Sequence, residues 1–188
     1  MRLFIAIDID QNNKAALGEL QRQLQSKADI KKSDAKWVNP ENVHLTLKFL
    51  GEVEDAKVVE VCKIVEGVAG RHKSFELDIE SVGYFGGRSA RVLWVGAGLG
   101  NEDLSRLQKD IEGELALAGW PEEGREFHGH LTLCRIRSTK AGAELAQVSE
   151  QYKDFKLGVI SVDSVGVYQS QLTPQGPIYT LLGNYKLQ

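Results

Sequence analysis

Two copies of the tetrapeptide His-Leu-Thr-Leu, at residues 44–47 and 130–133, are the part of this 188-residue chain best suited to chemistry. They lie nearly half a chain length apart, so each half of the sequence contains one copy. Side chains alternate between the two faces of a strand. Each copy therefore predicts a strand that presents its histidine and threonine on one face and buries its two leucines on the other.

Two such strands, facing each other across a cleft, would support displacement at phosphorus. The attacking and leaving oxygens occupy opposite apical positions, so two imidazoles are needed, one to accept a proton and one to donate it. His44 and His130 would supply them, since histidine titrates near neutral pH. The hydroxyls of Thr46 and Thr132 would bind the non-bridging oxygens. The symmetry of the repeat does not say which histidine is the acid.

Strict alternation also makes predictions for the residues that flank the motifs. It places Phe49 on the buried face, together with the leucines of the first copy. It places Cys134 on the same face as His130. We nevertheless expect Cys134 to be a buried, unreactive thiol rather than a nucleophile.

A metal site is the main alternative use of the histidines. His128 has the same parity as His130, and with His44 the three could form a site of the kind that zinc accepts. Against this, the repeat pairs each histidine with a threonine rather than with a second ligand, and only one half has the extra histidine. The sequence therefore favours a site without a metal ion.

The elements that must position the motifs alternate between strand and helix. The predicted strands are residues 3–9, 43–50, 75–84, 91–95, 126–136, 155–167 and 178–185. The predicted helices are one capped by Asp10, residues 55–69, one capped by Asn101, and residues 141–151, with a loop at 27–36. Several strands follow one another directly, which predicts an α+β fold with largely antiparallel sheets and helices on their outer faces.

Composition limits the class of protein. The chain is 42% hydrophobic and 26% charged, which excludes disorder, and its mean hydropathy of -0.26 excludes a membrane-spanning helix. It has only two cysteines and opens without a signal-peptide pattern, which predicts a cytoplasmic protein. A net charge of -3 gives no general basic field, so any contact with RNA must be local.

Candidate RNA contacts lie close to the motifs in sequence. The basic candidates are Lys31, Lys32 and Lys36 before the first motif and Arg125, Arg135 and Arg137 around the second. Phe4, Trp37 or Phe127 could stack on a terminal base, although aromatic residues more often belong to a core.

Two His-x-Thr-x motifs, one in each half, resemble those of the two-histidine (2H) phosphoesterase superfamily. Within it the chain is most similar to the RNA 2',3'-cyclic phosphodiesterases, long named 2'-5' RNA ligases. The segments that resemble this family are residues 2–8, 43–51, 91–96, 130–135 and 170–174. The similarity thus runs nearly end to end.

The resemblance implies one bilobal domain over residues 1–188, built from two related halves with pseudo-twofold symmetry. Two mainly antiparallel sheets would face a central cleft that needs no metal ion or other cofactor. The implied reaction is hydrolysis of a cyclic phosphodiester to a 2'-phosphomonoester, with His44 as proton donor to the leaving 3'-oxygen and His130 as base for the attacking water. Arg135 would contact the phosphate, although strict alternation turns it away from His130 unless a bulge or its long side chain brings it back.

Three functions remain open from the sequence. The first is hydrolysis of cyclic phosphate ends on RNA or on small cyclic nucleotides. The second is 2'-5' ligation of tRNA fragments by the reverse reaction, which would use the same residues. The third is a binding module for RNA or nucleotides without turnover, which the intact histidines and threonines disfavour. We expect a monomer with no membrane contact.

Overall fold

All nine strands of the chain join one curled antiparallel sheet. The computed structural model describes residues 1–188. The strands are β1 (Arg2–Ile7), β2 (Ala35–Trp37), β3 (Leu45–Glu52), β4 (Phe75–Phe85), β5 (Val92–Ala97), β6 (His130–Ile136), β7 (Lys156–Val162), β8 (Ser164–Thr173) and β9 (Gly176–Lys186). The helices are α1 (Gln11–Lys27), α2 (Val58–Ala69), α3 (Asn101–Leu117) and α4 (Thr139–Ser149).

The sheet consists of two sets of four strands. The first half-sheet has the order β3-β1-β8-β9, and the second has the order β6-β5-β4-β7, with β2 as an extra partner of β6. They meet where β3 pairs with β6 through one residue pair, Leu45 and Leu131. The prediction of two mainly antiparallel sheets with helices outside is confirmed, and this pair makes the two sheets continuous.

The helices cover one face of the sheet and bury a shared core of 36 residues. Helix α1 begins where the carboxylate of Asp10 accepts the backbone N–H of Asn13 at 3.0 Å, as the sequence predicts. Its leucines at positions 17, 20 and 24 recur at helical spacing and are almost completely buried. Helix α1 packs against α4 and β7, whereas α2 packs against α3, β8 and β9. No helix is both long and apolar enough to cross a bilayer.

Three predicted elements differ from the structure. Residues 155–167, predicted as one strand, contain the whole of β7 and the start of β8 with Asp163 between them, because the chain passes there from the second half-sheet to the first. The predicted loop at 27–36 runs into the short strand β2, which has too few residues to show a period. Gly100, not Asn101, caps α3; its left-handed backbone at φ +92° packs against the Glu76 carbonyl, where a Cβ would clash.

Candidate active site

The two motifs come together on the open face of the sheet, at the junction of the half-sheets. Leu45 and Leu131 lie directly opposite each other, and both side chains are fully buried under the helices. Cross-strand partners share a face, and their neighbours along each strand point to the other face. The histidines and threonines of both motifs therefore share the face that the helices leave open.

Each motif histidine is oriented in the same way, by the backbone carbonyl two residues before it, just ahead of the motif strand. Nδ1–H of His44 donates to the carbonyl oxygen of Asn42 at 2.9 Å, and Nδ1–H of His130 donates to the carbonyl oxygen of His128 at 2.6 Å. A proton fixed on Nδ1 leaves the lone pair of the neutral ring on Nε2. Nε2 makes no hydrogen bond within the protein in either case, so both are available to a substrate.

The electrostatic surroundings of the two histidines differ. Burial lowers the pKa of His44 to about 4; the hydrogen bond to the Asn42 carbonyl and the Asp8 carboxylate act against this effect, and the Lys14 ammonium adds to it. Burial also lowers the pKa of His130; the hydrogen bond to the His128 carbonyl acts against this effect, and the Arg135 guanidinium adds to it. Both rings are therefore mainly neutral at pH 7 in the free protein.

Aromatic rings surround the first histidine. The ring of His44 stacks on Phe4 with centroids 4.6 Å apart, and the edge of Tyr179 lies 5.1 Å away. Phe4 in turn stacks on Tyr168, with centroids 5.2 Å apart. Of the three aromatic residues that the sequence offered for base stacking, Phe4 lies at the site, whereas Trp37 and Phe127 pack against the core.

Other aromatic rings surround the second histidine. Phe85, the last residue of β4, lies edge-on to His130 with centroids 5.0 Å apart, and Trp94 of β5 lies 4.7 Å from the ring of His128. The indole of Trp94 covers Gly83, where any Cβ would clash with it. Sequence reasoning did not select Phe85, Tyr168 or Tyr179; the parity of each along its own strand was the only available signal.

A β-bulge at the last leucine of each motif overturns two predictions made from strict alternation. In β3, Thr46 pairs with Ala6 and Lys48 with Ile5, so Leu47 is the extra residue. Lys48 is consequently buried with Leu47, and Phe49 turns to the histidine face, where it is 57% exposed. The prediction that Phe49 lies in the core was therefore wrong.

The same irregularity occurs in β6. Thr132 pairs with Trp94 and Cys134 with Leu93, which makes Leu133 the extra residue. Cys134 therefore points into the core, not to the side of His130, and burial raises the pKa of its thiol to about 12. The prediction of a buried thiol is confirmed, while its predicted strand face was wrong.

The bulge in β6 also accounts for the direction of Arg135. One extra residue restores this side chain to the face that carries His130, so no unusual reach is needed. Its positive charge lowers the pKa of His130 and also acts on Tyr179 of the first half-sheet, whose pKa is raised by burial. The guanidinium therefore lies within electrostatic range of both sides of the cleft.

The three-histidine metal arrangement is not assembled. The rings of His128 and His130 lie 6.2 Å apart between centroids, and His44 is stacked against Phe4 in the other half-sheet. No group of three or more His, Cys, Asp or Glu side chains is placed to hold a metal ion.

This sheet, with a His-x-Thr-x strand from each half on its open face, is that of a two-histidine phosphoesterase. The family model described as LigT-like phosphoesterase matches residues 7–94 and 99–179. The chain therefore belongs to the LigT-like phosphoesterase family.

Individual relatives agree with this assignment. The RNA 2',3'-cyclic phosphodiesterase of Methanocaldococcus jannaschii is 34% identical over 183 residues, which cover 97% of this chain and 98% of the relative. The protein of the same name from Thermotoga maritima is 36% identical over 188 residues, covering 97% and 93%. The crystal structure of E. coli LigT complexed with 3'-AMP is 26% identical with a TM-score of 0.75, and the match covers 99% of this chain and 97% of that one.

Proposed function

We propose that this protein hydrolyses 2',3'-cyclic phosphate ends of RNA or of small nucleotides to 2'-phosphomonoesters. The observation that carries the proposal is the pair of histidines on one open face, each with Nδ1–H held by a backbone carbonyl and Nε2 free. Relatives named RNA 2',3'-cyclic phosphodiesterase, and a LigT structure with 3'-AMP, support a ribonucleotide substrate.

In the proposed reaction, Nε2 of His130 takes a proton from a water molecule as the water oxygen attacks phosphorus. The bond between phosphorus and the 3'-oxygen breaks, and Nε2–H of His44 gives its proton to that oxygen. The product keeps its phosphate on the 2'-oxygen. Attack and departure occur on opposite sides of phosphorus, so the two rings act together without exchanging roles in one turnover.

Three other side chains would stabilise the negative charge on the phosphate. Thr46 and Thr132 lie beside the histidines on the same face, and their hydroxyls make no hydrogen bond within the protein. We propose that they donate to the non-bridging oxygens, which gain negative charge in the transition state. Arg135 would pair with the same oxygens, since the bulge in β6 turns it to this face.

We propose His44 as the proton donor and His130 as the acceptor, as the resemblance to the two-histidine phosphoesterases implies. A donor must be protonated before the reaction, and burial opposes that form of His44 in the free protein. An acceptor must be neutral, and burial together with the Arg135 guanidinium favours the neutral form of His130. A bound phosphate anion raises the pKa of a nearby imidazole, which would allow His44 to be protonated in the complex.

We further propose that the chain is a single bilobal domain of two related halves that works as a cytoplasmic monomer. The chemistry above uses only side chains and water, so it calls for no metal ion or other cofactor.

The decisive experiment supplies the protein with a 2',3'-cyclic mononucleotide and with an oligonucleotide that ends in a 2',3'-cyclic phosphate. Each is assayed with and without EDTA, and the position of the product phosphate is determined. We expect 2'-phosphomonoesters and no loss of turnover in EDTA. No hydrolysis of either substrate would refute the proposed function, and turnover lost in EDTA and restored by zinc would refute the two-histidine mechanism. A 2'-5' linked product from paired RNA ends would support ligation instead.

A further inference from the structure

A polar cavity lies beside the second half-sheet, outside the two-histidine site. It has a volume of about 330 Å³ and lies between the connection from β4 to β5 and the connection from β6 to α4. Its polar walls are Arg88, Ser89, Arg91, Arg137, Ser138 and Thr139. No Asp or Glu lines it, and none of its three arginines forms an ion pair. In a chain with a net charge of -3, this is a local concentration of unpaired positive charge.

The walls of the cavity are held in place by hydrogen bonds. The hydroxyl of Ser89 donates to the carbonyl oxygen of Thr139 at 2.9 Å. The backbone N–H of Ala90 donates to the carbonyl oxygen of Gly142 at 3.1 Å. A Cβ at Gly142 would clash with Ser89 and Ala90, so the loop and α4 are in close contact. The N–H of Arg91 donates to the carbonyl of Phe85 at 2.7 Å and closes the loop.

Both walls run directly into the candidate active site. Phe85, whose ring contacts His130, immediately precedes the first wall, and Arg135 immediately precedes the second. At about 3.3 Å per residue, the strand from His130 to Ile136 spans at most about 20 Å. A nucleic acid strand with its terminal phosphate between the histidines would therefore reach the cavity within a few nucleotides.

We propose that this cavity binds backbone phosphates of a single-stranded RNA upstream of its cyclic phosphate end. The inference rests on the proposed function and makes its substrate an oligonucleotide rather than a free mononucleotide. Arginine guanidinium groups and hydroxyls are the side chains that most often contact phosphate oxygens. The Ser138 hydroxyl caps α4 by accepting the N–H of Ala141, which leaves the N–H groups of Thr139 and Lys140 as further donors at the positive end of the helix dipole.

The test compares two substrates on one variant, Arg88→Ala/Arg137→Ala. One is a 2',3'-cyclic mononucleotide, and the other is a single-stranded oligonucleotide of roughly ten nucleotides with a cyclic phosphate end. We expect kcat/KM for the oligonucleotide to fall roughly tenfold, mainly through KM, and that for the mononucleotide to change less than about twofold. The slope of log(kcat/KM) against log(salt) for the oligonucleotide should also become shallower, by about 0.7 for each phosphate that an arginine no longer neutralises.

Two further variants are the controls. Arg22→Ala/Arg106→Ala removes the same charge from α1 and α3, where both arginines pair only with acidic residues of their own helix, and should leave both substrates unaffected. Arg88→Lys/Arg137→Lys keeps the charge and should retain most of the oligonucleotide activity. An unchanged ratio of oligonucleotide to mononucleotide activity in the alanine variant would overturn the proposal, as would an equal loss in the Arg22 and Arg106 control.

A binding measurement separates this inference from the proposed function. Fluorescence anisotropy of a labelled oligonucleotide that carries a 2'-phosphate end reports binding without turnover. We expect the alanine variant to bind it roughly tenfold more weakly than the unmodified protein does. If the unmodified protein hydrolyses neither substrate but this difference remains, the proposed function fails and the cavity assignment stands. If both proteins bind equally, the cavity assignment fails whether or not hydrolysis occurs.

Discussion

The two motif segments, residues 44–47 and 130–133, have the same four residues and the same bulge, yet the two residues that follow each motif differ. Lys48 and Phe49 follow the first motif, whereas Cys134 and Arg135 follow the second. The bulge sends the first residue of each pair into the core and the second to the open face. One backbone geometry thus supports two different side-chain environments, and the difference between them makes the cleft asymmetric.

On the core side, the difference is between an ion pair and a small apolar residue. Nζ of Lys48 lies 2.5 Å from Oε1 of Glu112 and donates to the carbonyl oxygen of Pro121 at 2.7 Å. The same carboxylate oxygen accepts the N–H of Glu123 at 2.6 Å. The first motif strand is therefore connected to α3 and to the loop that leads to the second motif, whereas Cys134 is a fully buried, uncharged side chain with no ion pair.

On the cleft side, the difference is between an aromatic ring and a cation. Phe49 lies near Phe4, with ring centroids 6.2 Å apart, in the half-sheet where His44 is surrounded by rings. Arg135 faces the cleft from the other half-sheet and acts on His130. A substrate that is apolar at one end and anionic at the other would have one favoured orientation between these two walls.

The largest expected effect comes from removing either of the histidines that the two motifs share. His44→Ala and His130→Ala should each lower kcat by roughly 10²-fold or more, because each removes one proton transfer. Steady-state kinetics with a cyclic mononucleotide measures this, with circular dichroism to verify the fold. His72→Ala is the control, since His72 pairs with Asp110 outside the cleft. A near-normal kcat in either motif variant would contradict the two-histidine site.

The next largest effect concerns the core side of the comparison. Lys48→Met leaves the Glu112 carboxylate buried without its cation, and we expect it to lower the free energy of unfolding by about 3 kcal/mol. Cys134→Ala, at the matching position of β6, should cost only about 1 kcal/mol, because it removes one buried atom and no charge. Urea denaturation measures both values. Equal losses in the two variants would show that the ion pair adds nothing to the stability of the first strand.

A smaller effect tests the difference between the two side chains that face the cleft, Arg135 and Phe49. Arg135→Ala should lower kcat/KM by about tenfold to thirtyfold, because a charge-assisted hydrogen bond to phosphate contributes about 1.5 to 2 kcal/mol. Phe49→Ala should cost about threefold or less, since a half-exposed ring contributes only partial stacking. Arg135→Lys should recover part of the loss. If Phe49→Ala proved the more damaging, the anionic end of the substrate would have to lie elsewhere.

The sequence predicts the features that the two motifs share, but it does not predict the bulges that make the following residues differ. The repeat predicts both strands, their buried leucines and their shared histidine face, because period-2 alternation within four residues is a strong local signal. Alternation fails after the threonines, since a bulge depends on pairing with a neighbouring strand and leaves no mark in the motif itself. Phe49 and the strand face of Cys134 were therefore assigned to the wrong sides.

The pairing of distant strands was equally hidden. Tyr179 lies at the site only because β9 pairs with β8, which pairs with β1 beside the first motif. The split of residues 155–167 into β7 and β8 is a crossing between half-sheets, and no glycine or proline marks the crossing at Asp163. A local sequence pattern predicts that a strand is present, whereas the strands that pair with it depend on how the whole sheet closes.

The smallest expected effect is a shift of the two limbs of the profile of kcat/KM against pH. This shift separates the roles of the two histidines. The dependence of kcat/KM on pH reports pKa values of the free protein, and burial lowers those of both His44 and His130. A donor with a lowered pKa loses its proton at lower pH, so the basic limb moves to lower pH. We therefore expect a bell-shaped profile with its maximum below pH 6.5, the ordinary pKa of histidine. In kcat the basic limb should lie at higher pH, because the bound phosphate anion favours the imidazolium form.

The residual profiles of the two alanine variants then assign the limbs. Removing the base removes the acidic limb, and removing the donor removes the basic limb. With His130 as the base, the acidic limb should be lost in His130→Ala and the basic limb in His44→Ala. The opposite pattern would reverse the roles, and Arg135 and His128 would then surround the donor instead of the acceptor. A flat profile for the unmodified protein across roughly pH 5 to 9, with chemistry rate-limiting, would rule out acid–base catalysis by either ring.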